Sequence, residues 1–172
     1  VVDLAKDTLP DFDGFSQIIV LLSDLTPLGQ SVTDICDFVY NGGSAWFPIV
    51  LESNVYSSAI SQAIGIDGLS PDYYVVKSIY PHEDFMIGGG RAFAVSDPFE
   101  SSHTVILSDN TNVYATADGP DGIPLVWTSD YGSGKFVVDN IGMYDKAMRG
   151  FYAASYSLLS DVCVYPVINS ST

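Results

Sequence analysis

The fold class this sequence predicts is α/β: a mainly parallel sheet flanked by helices, with a β-rich antiparallel extension. Three observations predict it. A continuous apolar run, Gln17–Leu22, is followed by a helix signature that opens at Thr26-Pro27 and stops at Asn41-Gly42-Gly43. A second apolar run, Lys135–Asn140, leads into a segment of helical period from Tyr144 to Leu159. Between these two units, from Ile66 to Ser129, short strand-like runs alternate with turns and no helical pattern emerges. Uninterrupted apolar strands beside amphipathic helices suit a sheet covered on both faces.

Each element has its own reason. Val1–Leu4 is expected as a short strand, and Leu9-Pro-Asp-Phe-Asp-Gly14 as a turn-rich connection. Ile18, Ile19 and Val20 are β-branched, so Gln17–Leu22 reads as a central strand buried on both faces. Thr26 suits an N-cap and Pro27 the first helical position, and Val32, Ile35, Cys36 and Val39 recur at helical spacing. The next strand is Ala45–Leu51. A second helix is expected over Val55–Ile64, with Tyr56, Ala59, Ile60 and Ala63 on one side and Gly65 as its stop. In the β-rich insert, 66–129, the candidate strands are Tyr73–Ile79, Ala92–Val95, Thr104–Leu107, Val113–Ala117 and Leu125–Thr128. Asp109-Asn-Thr-Asn112 and Asp118-Gly-Pro-Asp-Gly122 are the turns between them. On the closing helix, Tyr144, Ala147, Met148, Phe151, Tyr152, Ser155, Leu158 and Leu159 fall on one broad face. The domain is expected to span 1–161, with 162–172 as an edge strand or a linker to a following domain. Position 1 is Val rather than Met, which predicts a piece of a longer protein.

Composition narrows the function. The 172 residues are 47% apolar and 13% aromatic, enough for one well-formed core. Twenty-one acids against six bases give a formal charge of -15. A nucleic-acid partner is excluded on that balance, because phosphates demand Lys and Arg. Contact of this fragment with an anionic membrane surface is excluded for the same reason. Cys36 and Cys163 are the only cysteines, and each falls among apolar residues as a buried free thiol would. They make neither a disulfide framework nor a zinc motif.

The order of strand, Thr-Pro helix, Asn-Gly-Gly, strand, helix, β-rich insert, Tyr131-Gly-Ser-Gly-Lys135 strand and helix resembles the class I glutamine-amidotransferase-like, or flavodoxin-like, domains of bacterial cell-envelope proteins. More narrowly, it resembles the N-terminal part of a family of large bacterial proteins of unknown function. In that family such a domain precedes a polysaccharide-deacetylase-like domain, and Tyr165-Pro-Val-Ile-Asn-Ser170 resembles the junction into it. The resemblance implies an extracytoplasmic or envelope-associated protein. Its partners would be neighbouring domains of the same polypeptide and a polysaccharide, with no cofactor and no metal.

Active members of the wider class carry a Cys on a strained elbow after the strand that follows Gly-Gly, and a His after the last main strand. Here the elbow reads Leu51-Glu52-Ser53-Asn54-Val55, and the later position reads Asn140-Ile-Gly-Met143. Both the nucleophile and the base that would activate it are missing. Glu52 and Ser53 remain as weak catalytic candidates: a carboxylate at the C-terminal end of a strand and a lone hydroxyl. The competing roles are a surface carboxylate and a helix N-cap.

Other constellations are weaker. His82-Glu83-Asp84 sets three metal-capable side chains in succession, but neighbours on an extended chain point to opposite faces, and His103 is distant in sequence. Gly88-Gly-Gly-Arg91 lacks the strand-to-helix setting of a phosphate loop. Asp118–Gly122 lacks the ligand spacing of a calcium loop. Tyr73, Tyr74, Tyr80, Phe85, Tyr114 and Trp127 cluster in the insert, where core packing competes with a sugar-stacking platform. The expected function is therefore a non-catalytic accessory domain beside a carbohydrate-active neighbour. The alternative is an amidotransferase-like hydrolase with its active site relocated to Glu52 and Ser53.

Overall fold

The structure is a computed structural model, and it describes residues 9–48, 53–56, 58–70, 74–82, 93–100 and 104–140. Its elements in chain order are β1 (Gln17–Ile19), α1 (Ser31–Tyr40), β2 (Ser44–Phe47), α2 (Ser53–Tyr56), β3 (Ile66–Ser70), β4 (Val75–Pro81), β5 (Phe93–Glu100), β6 (Thr104–Leu107), β7 (Thr111–Ala117), β8 (Pro124–Tyr131) and β9 (Gly134–Asp139). A single 3-10 turn, Thr26–Leu28, precedes α1.

Seven strands form one sheet in the order β1-β2-β9-β8-β7-β4-β5, and β3 pairs with β6 in a separate two-stranded sheet. The pairs β1–β2 and β2–β9 are parallel. The pairs β9–β8, β8–β7, β7–β4 and β4–β5 are antiparallel. This corrects the predicted class. The sheet is mixed, with most pairings antiparallel, and α1 is the one helix longer than a turn among the described residues. It is not a helix-flanked, mainly parallel, flavodoxin-like sheet. The three apolar runs around residues 17, 45 and 135 do lie side by side and parallel. The runs between residues 75 and 131, β6 excepted, extend that sheet strand by strand.

Local chemistry explains where the elements differ from expectation. β2 ends at Phe47 because Pro48 carries no backbone N–H for the ladder. β1 is short and, among the described residues, lies at the end of the strand order. Ile19 is 50% exposed, so the run is not buried on both faces. The 3-10 turn begins at Thr26, with Leu25 rather than Thr26 at its cap position, and the Asp24 carboxylate just before it accepts from the Thr26 backbone N–H at 2.9 Å. Helix α2 spans one turn instead of Val55–Ile64. The Ser58 hydroxyl donates back to the Val55 carbonyl at 2.6 Å, and Ser61 N–H donates to Ser58 O, so local serine bonds displace the helical ladder. The apolar residues of that stretch are nonetheless buried: Val55, Ile60, Ala63 and Ile64 all join the core. Strand β3 has no β-branched run and holds Gly68, which is why its sequence gives little strand signal. The expected Val1–Leu4 strand, the Tyr144–Leu159 helix and the 162–172 edge strand or linker fall outside the described residues.

The core forms on one face of the sheet. Ala45 and Phe47 of β2, Phe136 and Val138 of β9 and Trp127 of β8 pack against Ile35 and Val39 of α1 and Ile60 and Ile64 of the turn segment. Trp127 also donates from Nε1 to the Ile64 carbonyl at 2.8 Å, which ties that segment to the sheet. At the start of the parallel strands, backbone packs on backbone. The N–H of Ser133 donates to Tyr40 O at 2.9 Å, and the N–H of Lys135 donates to Gly43 O at 3.2 Å. The β8–β9 hairpin thus satisfies the last carbonyl of α1, Tyr40 O, which has no partner inside the helix, and that of Gly43 just beyond it. A Cβ at Gly134 would overlap the carbonyl oxygens of Gly43 and Val39, so only glycine admits this contact. The Asn41-Gly42-Gly43 stop and the Gly-Ser-Gly turn are two sides of one joint.

Candidate functional site

Parallel strands present two different ends. Ligands in open α/β sheets bind beyond the carboxyl ends, where loops diverge. At that end of β1 and β2, Asp24 Oδ1 accepts from the Thr26 hydroxyl at 2.7 Å and from Asn54 Nδ2 at 3.1 Å, besides the Thr26 N–H. The Thr26 hydroxyl bond leads in holding the Asp24 carboxyl below its usual range, followed by the Thr26 N–H and Asn54. Asp24 is thus an ionised anchor that joins the loop after β1 to the start of α2. Ser53 begins α2, one residue before Asn54 in sequence, and Glu52 lies outside the described residues. At the same end of β9, Asp139 and Asn140 are fully buried, and the Asn140 N–H donates to Leu125 O at 2.8 Å. The geometry brings Asp24, Thr26 and Asn54 together, three residues that sequence reasoning did not single out. A carboxylate that already accepts three hydrogen bonds is a structural group rather than a free base.

The opposite end carries an open groove of about 810 Å³. The 9–15 loop forms one wall and helix α1 the other. Asp11, Asp13, Asp34 and Asp37 line it together with Phe15 and Phe38, with no basic side chain among the described lining residues. Asp11 is partly engaged: its Oδ1 accepts from the Asp13 N–H at 3.0 Å. Phe12 meets Phe38 in a tilted contact at 5.4 Å, which braces the loop against α1. Sequence reasoning read Leu9–Gly14 only as a connection. The signal it passed over is the repeat of Asp34, Asp37 and Asn41 along one stripe of the helix.

The remaining candidates resolve as structure. Trp127 and Tyr114 are buried in the body, so they offer no platform to a sugar. Tyr74 donates from its hydroxyl to Asp118 Oδ2 at 3.1 Å, and Tyr80 meets the His82 ring edge-on at 6.1 Å. His82 Nε2 pairs with the Thr116 hydroxyl at 3.1 Å. Tyr73, Glu83, Asp84, Phe85, Gly88–Arg91 and His103 fall outside the described residues. Asp118 sits at a positive φ of 56° and clamps β7 to β4. Its Oδ1 accepts from Ser78 N–H at 2.6 Å, Ser78 Oγ at 3.1 Å and Lys77 N–H at 3.1 Å. Burial pushes its carboxyl up, but the bonds from Ser78, Tyr74 and Lys77 outweigh burial and leave it below the usual range.

Comparison with known proteins agrees with a domain of unassigned role. Residues 95–172 match a family described as an uncharacterised protein conserved in bacteria (DUF2194). No curated protein matches the chain. Among solved structures, a cytoplasmic protein from Salmonella typhimurium is similar over 92% of this chain and 76% of its own, at 14% identity and a TM-score of 0.62. A β-galactosidase from Bacillus circulans sp. alkalophilus is similar over 91% of this chain and 23% of its own, at 14% identity and a TM-score of 0.58. The exo-β-1,4-mannosidase from Opitutaceae bacterium strain TAV5 is similar over 91% of this chain and 26% of its own, at 15% identity and a TM-score of 0.56. The chain thus spans about a quarter of the length of these two glycosidases. At such identities the likeness concerns the fold alone. The bacterial, uncharacterised part of the expected resemblance stands. The amidotransferase-like part finds no support among these comparisons.

Proposed function

We propose that this chain is a non-catalytic accessory domain of a multidomain bacterial protein of the cell envelope. It supports a carbohydrate-active neighbour in the same polypeptide, of the polysaccharide-deacetylase-like kind. The observation that carries this reading is the recurrence of nearly the whole fold as about a quarter of two glycosidase chains. A unit of this size within a larger sugar-processing chain suits a supporting part, although fold likeness alone is an analogy. The chemistry of the site agrees. Where an enzyme of this layout needs a nucleophile and a base in reach of one another, Asp24 is already engaged by Thr26 and Asn54.

The test uses the full-length polypeptide and a panel of acetylated polysaccharides, with released acetate and reducing ends as the readout. Ser53→Ala and Glu52→Gln should leave turnover unchanged, while deletion of 1–161 should lower the activity or yield of the neighbouring domain. Loss of turnover in either point variant, with the fold intact, would establish the relocated hydrolase instead.

A further inference from the structure

The chain holds five steps at which an aspartate or asparagine precedes glycine: Asp13–Gly14, Asn41–Gly42, Asp67–Gly68, Asp118–Gly119 and Asp121–Gly122. They share one latent reaction. Glycine has no Cβ to hinder attack of its backbone nitrogen on the preceding side chain. The fold treats the five differently. Gly42 N–H donates to Val39 O at 3.0 Å and Gly122 N–H to Gly119 O at 3.2 Å, so both nitrogens are engaged. Gly68 is paired with Ile106 in the β3–β6 ladder, which limits rotation of its backbone. The Asp118 carboxylate is held on both oxygens, by Ser78 and Lys77 on Oδ1 and by Tyr74 on Oδ2. An ionised carboxylate fixed in that way is a poor electrophile.

Asp13–Gly14 carries none of these restraints. The Phe15 N–H donates to Phe12 O at 3.1 Å, which closes a four-residue turn with Asp13 and Gly14 at its centre. Gly14 has φ 87° and Asp13 does not have a positive φ, the pattern of a type II turn. Only the last N–H closes such a turn, and among the described residues nothing accepts from the Gly14 N–H. Asp13 uses its backbone N–H, toward Asp11, and not its carboxylate. Both residues are exposed. No atom lies within 4 Å of a Cβ built on Gly14, so there is room for this peptide to turn its nitrogen toward Asp13 Cγ.

We infer that Asp13–Gly14 is a modification site, the step at which the folded chain converts aspartate to isoaspartate through a succinimide. The Gly14 nitrogen attacks Cγ of the neutral Asp13 carboxyl. A C–N bond forms, the C–OH bond breaks, and the hydroxyl leaves with the amide proton as water. Water then reopens the ring. Attack at Cγ restores aspartate. Attack at the main-chain carbonyl carbon breaks its bond to the Gly14 nitrogen and leaves the chain running through Cβ and Cγ, with the α-carboxylate as a side group. No oxidant takes part, and the net change of mass is zero. The product adds a methylene to the main chain inside the turn that Phe12 and Phe15 close. Phe12 is also the residue that braces this loop on Phe38 of α1, so the change falls on the support of the groove wall. The chemistry is independent of the accessory role proposed above and holds equally for a catalytic chain.

The test incubates the full chain at mildly acidic pH, once folded and once in urea. An isoaspartyl methyltransferase serves as the labelling reagent, and peptide mapping with electron-transfer fragmentation locates each isoaspartate. In the folded chain, isoaspartate at residue 13 should exceed that at 67, 118 and 121 several-fold. In urea the four aspartate steps should converge, and deamidation of Asn41, which adds one mass unit, should accelerate several-fold as its glycine nitrogen is released. Asp13→Glu, whose extra methylene disfavours ring closure, should remove most of the label from the folded chain without changing its circular dichroism. An even distribution among the four sites in the folded chain overturns the assignment. So does first appearance at 118 or 121, or a preference for residue 13 that persists unchanged in urea. Undiminished label in a folded Asp13→Glu variant overturns it as well.

Discussion

Gly134→Ala tests the joint between α1 and the β8–β9 hairpin. Gly134 does not have a positive φ, so the substitution asks nothing unusual of its backbone. What it adds is a methyl group in space already held by the carbonyl oxygens of Gly43 and Val39. Neither oxygen can yield independently, because Gly43 O accepts from the Lys135 N–H and Val39 O from the Gly42 N–H. The hairpin must therefore lift away from the helix end. Forced overpacking costs about 1–3 kcal/mol. Each hydrogen bond weakened adds about 0.5–1.5 kcal/mol. A total of about 2–5 kcal/mol follows, which at this chain length lowers Tm by roughly 5–15 °C. Gly14→Ala is the matched comparison. Gly14 has φ 87° with nothing within 4 Å of an added Cβ, so it bears a conformational cost alone, about 1–2 kcal/mol. Calorimetry of both variants at one pH decides the matter. A Gly134→Ala midpoint within a degree of the parent, or one less affected than Gly14→Ala, would refute the steric account.

Two further outcomes follow from titrating groups. Asp118→Asn should lower Tm near neutral pH by a few degrees, since four hydrogen bonds lose a charged acceptor at an exposed site, at about 1 kcal/mol after solvent screening. The Asp118 carboxyl is depressed on folding, so its stabilisation is present above the unfolded value and is lost as pH falls through the folded one. The gap between parent and variant in a Tm–pH series should therefore close below about pH 4. Burial, with a smaller push from Asp37, raises the Cys36 thiol; in native protein it should alkylate with iodoacetamide far more slowly than after unfolding, as followed by intact mass.

Much of the secondary structure was legible. The runs at 17–19 and 134–139 announced themselves by β-branching, 44–47 by its apolar and aromatic residues, and Asp109–Asn112 and Asp118–Gly122 by turn chemistry. The balance of the sheet was not, because an apolar strand buried on both faces reads alike in parallel and antiparallel surroundings, and the antiparallel pairs outnumber the parallel ones. Trp127 and Val126 belong to an antiparallel pair yet show no polar alternation. The helix expected at 55–64 failed for a related reason: periodicity reports which residues are buried, and Ser58 and Ser61 decide the backbone instead. Of the site, Ser53 was visible as a residue type. Its setting was not, since Asp24 and Asn54 meet only through the register of β1 on β2.

β9 pairs parallel with β2 on one side and antiparallel with β8 on the other. This gives the chain an order of assembly. The hairpins β7–β8 and β8–β9 join near neighbours in sequence and can close early, at small entropic cost. β1 and β2 are made first on the ribosome, yet the partner that seats them, residues 135–138, is translated only after the whole insert. The N-terminal third must therefore wait, with Trp46 and Phe47 unsheltered, until β9 is presented by an already formed meander. Holding this exposed interval short, or covering it with a chaperone, becomes a requirement of biogenesis that the finished sheet no longer displays.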